Sequence, residues 1–311
     1  MEKLKLSMQN IQELISTTAG SEPGNLSPID QGEWSSAYSY RLGEDEFIIR
    51  FSHLDEDFHK DKFACRYASS KLPIPKIIQI GEAFGGYYAI SEKAAGVAID
   101  FLDSSRMNQV VPAVIGLMDA LRMADISATR GFGGWDITGN APHASWKEAL
   151  LDIANDHTDG RIHGWKEKLA ASSVGIDRFN DLFAQFAPLL GKCPEDRHLI
   201  HADLLHYNLL IADSKISAVI DWGCSKYGDF LYELAWFTFW SPWFPSMGGI
   251  DFRKLARRHY TEIGLDVPHF DERMKAYELH IGLDSIVYCA FIENWEQAEK
   301  VTVQMQKIAS S

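Results

Sequence analysis

Residues 36–42 alternate in character, with Ala37, Ser39 and Arg41 opposed to Tyr38, Tyr40 and Leu42. That two-residue period predicts a half-buried strand. A turn at 43–45 and an extended run over 46–51 complete a hairpin. Residues 57–71 read as a helix that stops at Leu72-Pro73-Ile74-Pro75, because each proline lacks a donor and forces its predecessor out of the helical region. A second strand pair follows at 76–81 and 87–92, turning at Gly85-Gly86. The order strand, strand, helix, strand, strand predicts an antiparallel sheet with one helix packed on it. Ahead of it, residues 1–16 form a short amphipathic helix with Ile11, Leu14 and Ile15 on one face.

After a linker at 93–96 the pattern turns helical. Val110, Val114, Leu117, Met118 and Leu121 recur at helical spacing, and further helices are expected near 145–157, 176–190, 229–240, 251–263 and 270–293. A single strand-rich patch, 199–221, interrupts them. The fold class is therefore α+β, with a small β-rich N-lobe (1–93) and a larger, mostly helical C-lobe (94–311). In that arrangement a nucleotide sits in the cleft between lobes.

Composition changes this picture little. With 311 residues, 46% of them apolar, the chain can bury a sizeable core in one or two domains. Forty-three acidic against thirty basic residues give a net charge of −13, which disfavours nucleic acid and anionic lipid and suits a cationic small molecule or simple solubility. Cys65, Cys193, Cys224 and Cys289 lack metal or redox spacing, as expected for a reducing cytoplasm. The N-terminus has no signal-peptide core, and the most apolar run, 231–244, is too short to span a bilayer and contains Glu233 and Pro242. No membrane partner is expected.

The chemistry concentrates in His201-Ala202-Asp203-Leu204-Leu205-His206-Tyr207-Asn208 and Ile220-Asp221-Trp222. The runs 209–211 and 216–220, joined by a polar turn at 212–215, predict a hairpin. Pairing back from that turn places Asn208 across from the stretch just before Asp221, so an amide oxygen and a carboxylate converge at one end. Such a donor pair suits Mg²⁺, which takes few protein ligands and leaves the rest to water and phosphate. An Asp, an Asn five residues later and a further Asp opening a metal loop is the kinase pattern. Asp203 would orient an acceptor hydroxyl and accept its proton late. His201 joins it in the catalytic set, with bracing of the loop as its other possible role.

The segment HLIHADLLHYNLLIADSKISAVIDW resembles the active-site segment of the aminoglycoside phosphotransferase family. GEWSSAYSY, KLPIPKIIQIGEA, ISEKAAGV, RGFG, KYGDFLYELAWFTFWSPW and HIGLDSIVY support it in order along most of the chain. The resemblance implies a protein-kinase-like two-lobed fold and transfer of a phosphate from ATP or GTP, with Mg²⁺, to a cationic aminoglycoside by a monomer. It implies Asp203 as the catalytic carboxylate and Asn208 and Asp221 as metal ligands. Ser91, Glu92, Lys93 and Ala94 fall on the adenine hinge, and residues 31–37 on the loop over the phosphates. Arg50 stands where the family has a phosphate-anchoring lysine, with Asp61 as its helix partner. That loop has only Gly32, so Ser35 and Ser36 would supply donors.

For the acceptor, Trp240 and Trp243 offer flat faces for a polyamine sugar, and Glu233 and Asp284 offer charge. Glu233 has structural support as its other role, and Asp284 a buried ion pair. Asp229 reads as a helix cap, and Trp236 as core. A kinase of the same fold for choline, homoserine, a fructosamine or a macrolide stays open, as does a non-catalytic nucleotide binder.

Overall fold

The computed structural model describes residues 4–29 and 34–310. The expected positions Gln31, Gly32 and Glu33 lie outside the described residues. The chain forms two compact units that do not follow chain order. The first runs through Phe101 and takes in Asp136–Gly139 and Tyr207–Cys224; the second holds Leu102–Trp135, Asn140–His206 and the chain from Ser225 onward.

In the first unit, helix α1 (Met8–Ala19) is capped by Ser7, whose hydroxyl accepts the Asn10 N–H at 3.1 Å. Gly20 ends it in the left-handed region at φ 71°, where a side chain would be strained. Five strands, β1 (Gly24–Pro28), β2 (Ser36–Leu42), β3 (Asp45–Ser52), β4 (Ile77–Ala83) and β5 (Gly86–Glu92), pair antiparallel in the order β1-β2-β3-β5-β4. Ile11 and Ile15 of α1 are fully buried against Tyr38, Tyr40, Ile49, Phe51, Tyr88 and Ile90 of the sheet. Each such isoleucine contributes about 2 kcal/mol by leaving water, which is why the short helix stays docked. Strand β1 was not expected; its residues are mostly exposed, so burial left little alternation to read. Helix α2 (Glu56–Ala64) is shorter than the 57–71 pattern predicts. After a 3-10 turn over Cys65–Tyr67, the Ser69 hydroxyl accepts the Leu72 N–H at 3.1 Å, a local turn that competes with further helix.

The remaining strands of this unit are Val97–Ala98, Leu209–Ala212 and Lys215–Val219, a three-stranded sheet with Leu209–Ala212 in the middle. The Leu209–Ala212 and Lys215–Val219 strands form the expected hairpin, with Val219 opposite Leu209 and the Ile220 N–H bonded to the Asn208 carbonyl at 3.0 Å. Asp213 and Ser214 both take positive φ, 48° and 59°, the geometry of a two-residue hairpin turn. Residues 97–98 pair with 210–211, and the Val219 N–H bonds to the Pro73 carbonyl at 2.8 Å, so 207–224 belongs to this unit.

The second unit is built around the helix Phe270–Ile292, buried along most of its length. Against it pack the helices Leu231–Trp240, Trp165–Ala170, Ile176–Phe186 and Trp295–Ser310. The second and the last of these were not anticipated. Helix Ser104–Arg122 begins six residues earlier than expected because the Asp103 carboxylate caps the Arg106 N–H at 2.8 Å. A small sheet joins Gly133–Gly134, Lys226–Gly228 and His198–Ile200. Gly131 needs to be glycine: its φ is 76°, and a Cβ there would lie 1.9 Å from the Ala141 carbonyl oxygen. No helix among the described residues is long and apolar enough to cross a membrane.

Asp229 is fully buried and shared between elements. Its carboxylate accepts from Arg273 Nη2 at 2.6 Å and Nε at 2.8 Å, from the Tyr277 hydroxyl, and from the Leu231 N–H at 3.2 Å. It thus ties the start of Leu231–Trp240 to the long helix. Arg273→Met removes one charge and leaves the other in a dry site, so urea unfolding should show a loss of about 3–5 kcal/mol. An unchanged midpoint would mean the carboxylate is hydrated after all.

Candidate active site

The residues from His201 to Asn208 run between the strands His198–Ile200 and Leu209–Ala212, passing from the second unit to the first after His206. Ala202, His206 and Tyr207 all have positive φ, at 61°, 60° and 75°. Non-glycine residues pay in strain for that region, and clusters of them occur at functional sites.

Within the second unit, Glu233 holds the loop's beginning. It projects from Leu231–Trp240, is 2% exposed, and its Oε2 accepts the His201 N–H at 2.6 Å and the Ala202 N–H at 3.1 Å. Its Oε1 has no hydrogen-bond partner among the described residues. Burial pushes the Glu233 carboxyl up to about 7, the two backbone bonds pull it down, and the charge of Asp203 raises it again. His201 is fully buried. Asp203 keeps a quarter of its side chain exposed (24%), and its Oδ1 accepts from His206 Nδ1 at 2.9 Å.

An aromatic cluster backs the loop. The His206 ring stands edge-on to Trp240 (centroids 5.1 Å apart) and Trp236 (6.0 Å), and Phe244 lies 6.1 Å away. Trp240 in turn contacts Trp243 at 5.0 Å. The structure therefore brings Trp240, Trp243 and Glu233 to the Asp203 loop. Trp240 is buried, with its indole N–H unpartnered, whereas Trp243 is half-buried. Glu233 faces the loop backbone and not solvent. Asp284 is half-buried within Phe270–Ile292, and no hydrogen bond or ion pair among the described residues joins it to the loop.

In the first unit, Asn208 and Asp221 occupy the same end of the hairpin, as the Ile220–Asn208 bond requires. Asn208 is buried; Asp221 is exposed, with φ 61°. Helix α2 clamps the segment after Asp221: Asp61 Oδ1 accepts the Trp222 N–H at 2.8 Å, and Lys60 Nζ donates to the Gly223 carbonyl. The other Asp61 oxygen pairs with Arg50 of β3, as the sequence suggested. Burial opposes the Arg50 charge, but Asp61, Asp221 and Asp57 outweigh it and hold the guanidinium above its ordinary value. Ser36 opens β2 and is buried; Ser35, just before it, is half-buried. Ser91 and Glu92 end β5, where the Glu92 and Lys93 N–H groups bond to the Lys76 and Glu46 carbonyls and Ala94 follows in irregular backbone.

Among the described residues no group of three or more His, Cys, Asp and Glu side chains could enclose a metal. The amide and carboxylate at the hairpin end are hard oxygen donors with one charge between them. That set fits a magnesium ion completed by phosphate and water better than a protein-enclosed metal.

Residues 25–266 match the profile of the phosphotransferase enzyme family APH. The chain is 32% identical over 301 residues to hygromycin-B 4-O-kinase of Escherichia coli, covering 96% of this chain and 84% of that protein. It superposes with a TM-score of 0.85 at 29% identity on a thermostable mutant of aminoglycoside phosphotransferase APH(4)-Ia in ternary complex with AMP-PNP and hygromycin B, covering 97% and 98% of the two chains. A further crystal structure of APH(4)-Ia gives 0.86 at 29% identity, over 98% and 99%. The chain belongs to the APH phosphotransferase family, and its α+β fold is the kinase-like fold of those structures.

A role for His206 was not read from the sequence; for Glu233 structural support was one of the two expected roles, but its partners, the His201 and Ala202 N–H groups, were not. The one signal available was a carboxylate inside the most apolar run of the chain, residues 231–244. Because the folded Glu233 carboxyl titrates near 7 against an ordinary 4.5, the folded state binds its proton more tightly. The stabilisation is complete below about pH 4.5 and is lost as pH rises through about 7. Relative to Glu233→Gln, wild-type unfolding free energy should therefore fall by roughly 2–3 kcal/mol between pH 5 and 8. Parallel pH profiles in urea titrations would contradict this.

Proposed function

We propose that this phosphotransferase moves the γ-phosphoryl group of ATP or GTP to a hydroxyl of an aminoglycoside, with hygromycin B the acceptor, and so gives resistance to it. The observation that carries the reading is the partly exposed Asp203 carboxylate on a loop whose backbone is fixed by Glu233. The relatives that bind AMP-PNP and hygromycin B supply the substrate class.

In this reading Asp203 accepts a hydrogen bond from the acceptor hydroxyl and aims its oxygen at the γ-phosphorus. The new O–P bond forms as the bond to the β,γ-bridging oxygen breaks. The electron pair leaves with the nucleoside diphosphate, and the hydroxyl proton passes to Asp203 late, as a loose transition state requires. His201 supports that step from beneath the loop. Asn208 and Asp221 would hold Mg²⁺, whose charge offsets the negative charge of the triphosphate. Arg50, oriented by Asp61, would present donors to phosphate oxygens in the fork geometry that guanidinium favours. Ser35 and Ser36 would add donors, and backbone groups from Ser91 to Ala94 would hold the adenine. Trp240, Trp243 and Asp284 belong to the acceptor side, with Glu233 serving it through the loop. Residues 1–93 form the nucleotide lobe, and 94–311 carry the catalytic loop and acceptor site. The protein works as a monomer in the cytoplasm, where the donor nucleotide and reduced cysteines belong, without nucleic acid or membrane.

The test is coupled release of nucleoside diphosphate with Mg²⁺ and ATP or GTP, against hygromycin B, other aminoglycosides, choline, homoserine and a fructosamine. Rapid release with hygromycin B is expected, and Asp203→Asn should slow it by about 10²–10⁴ while nucleotide still binds. Release driven only by choline, homoserine or the fructosamine, or undiminished in the variant, contradicts the proposal. Asp221→Ala should abolish the magnesium dependence of nucleotide affinity in calorimetric titration; an unchanged dependence would place the metal elsewhere.

A further inference from the structure

His206 has no part in the steps proposed above. His206 is bonded through Nδ1 to Asp203 Oδ1 at 2.9 Å, and its ring is set edge-on between Trp240 at 5.1 Å and Trp236 at 6.0 Å, with interplanar angles of 83° and 86°. A carboxylate can only accept, so Nδ1 carries the proton in this contact. The last torsion of an aspartate joins sp³ to sp² carbon and is broad, so packing alone sets a carboxylate plane poorly. One donor fixed from outside the residue is enough to set it.

We infer that His206 is a positioning residue for the reaction, holding the Asp203 carboxylate in the single rotation that presents it to the acceptor hydroxyl. This rests on the reading of Asp203 given above. The chain of support is physical and short. The Leu231–Trp240 helix supplies Trp236 and Trp240, these fix the His206 ring, and His206 Nδ1 fixes Asp203 Oδ1. The same helix supplies Glu233, which fixes the backbone just before Asp203. Backbone and carboxylate plane are thus set from one element. The aromatic cluster then has a catalytic consequence through the ring it holds.

The donor and the ring can be separated by substitution. His206→Phe and His206→Leu keep apolar bulk beside the tryptophans and remove the donor. His206→Asn keeps a donor nitrogen at the same number of bonds from the backbone and removes the ring. With full-length protein, Mg²⁺, ATP and hygromycin B, the Phe and Leu variants should lose about 10–100-fold in kcat, with KM for ATP unchanged, and Asn should recover most of the loss. A purely packing role predicts the reverse order, with Phe near wild type and Asn impaired, and that result overturns the inference. So does wild-type kcat in both the Phe and the Leu variants. Asp203→Asn, measured alongside, tells the two claims apart. If it is inactive while His206→Phe is unimpaired, the role of His206 alone fails; if it remains active, the reading of Asp203 fails and this inference with it.

Discussion

A glutamate cut off from water holds the backbone that leads into Asp203. Glu233 receives the N–H groups of His201 and Ala202 at 2.6 and 3.1 Å from inside the core of its unit. Ala202 sits in the left-handed region at φ 61°, which costs an alanine about 1–2 kcal/mol. A net intramolecular hydrogen bond contributes about 0.5–1.5 kcal/mol, so two of them offset a strain of that size. Without that contact the chain would relax before Asp203, and the carboxylate would lose its direction. The burial that shields the contact from water also raises the Glu233 carboxyl to about 7.

The first unit solves a similar problem with helix α2. Asp221 also has positive φ, and the segment after it is held by Asp61 on the Trp222 N–H and by Lys60 on the Gly223 carbonyl. The same Asp61 orients Arg50 through its other oxygen. One buried carboxylate therefore couples the strand that bears the guanidinium to the loop that bears the exposed aspartate. In both units a helix far along the chain holds a short loop by its backbone.

Much of this was legible in the sequence. The lengths of the apolar runs on either side of Asp213-Ser214 fixed the hairpin register and put Asn208 beside Ile220. Alternation revealed β2, and helical spacing put Ile11 and Ile15 on the buried face of α1. The arginine at position 50 and the aspartate at 61 met as expected. What stayed hidden was non-local. Glu233 and His201 are 32 residues apart, and Asp61 and Trp222 are 161 apart, so no local period records their bonds. Residues 207–224 join the first unit through contacts that chain order conceals, among them the pairing of 97–98 with 210–211 and the Asp61–Trp222 bond. His206 was passed over because its donor bond and its aromatic neighbours are properties of the folded loop. The helix boundary after Ala64 moved because the Ser69 hydroxyl offered the backbone an alternative partner.

The central claim is that the braced Asp203 loop serves transfer of phosphate to an aminoglycoside rather than binding of nucleotide alone. Phosphorus NMR of the full-length protein with Mg²⁺, ATP and hygromycin B follows the γ-phosphate directly. The account predicts that it leaves ATP and reappears as a phosphate ester on the antibiotic, in step with formation of ADP. A γ-phosphate that stays on ATP, or is released only as inorganic phosphate whatever aminoglycoside is present, would contradict it.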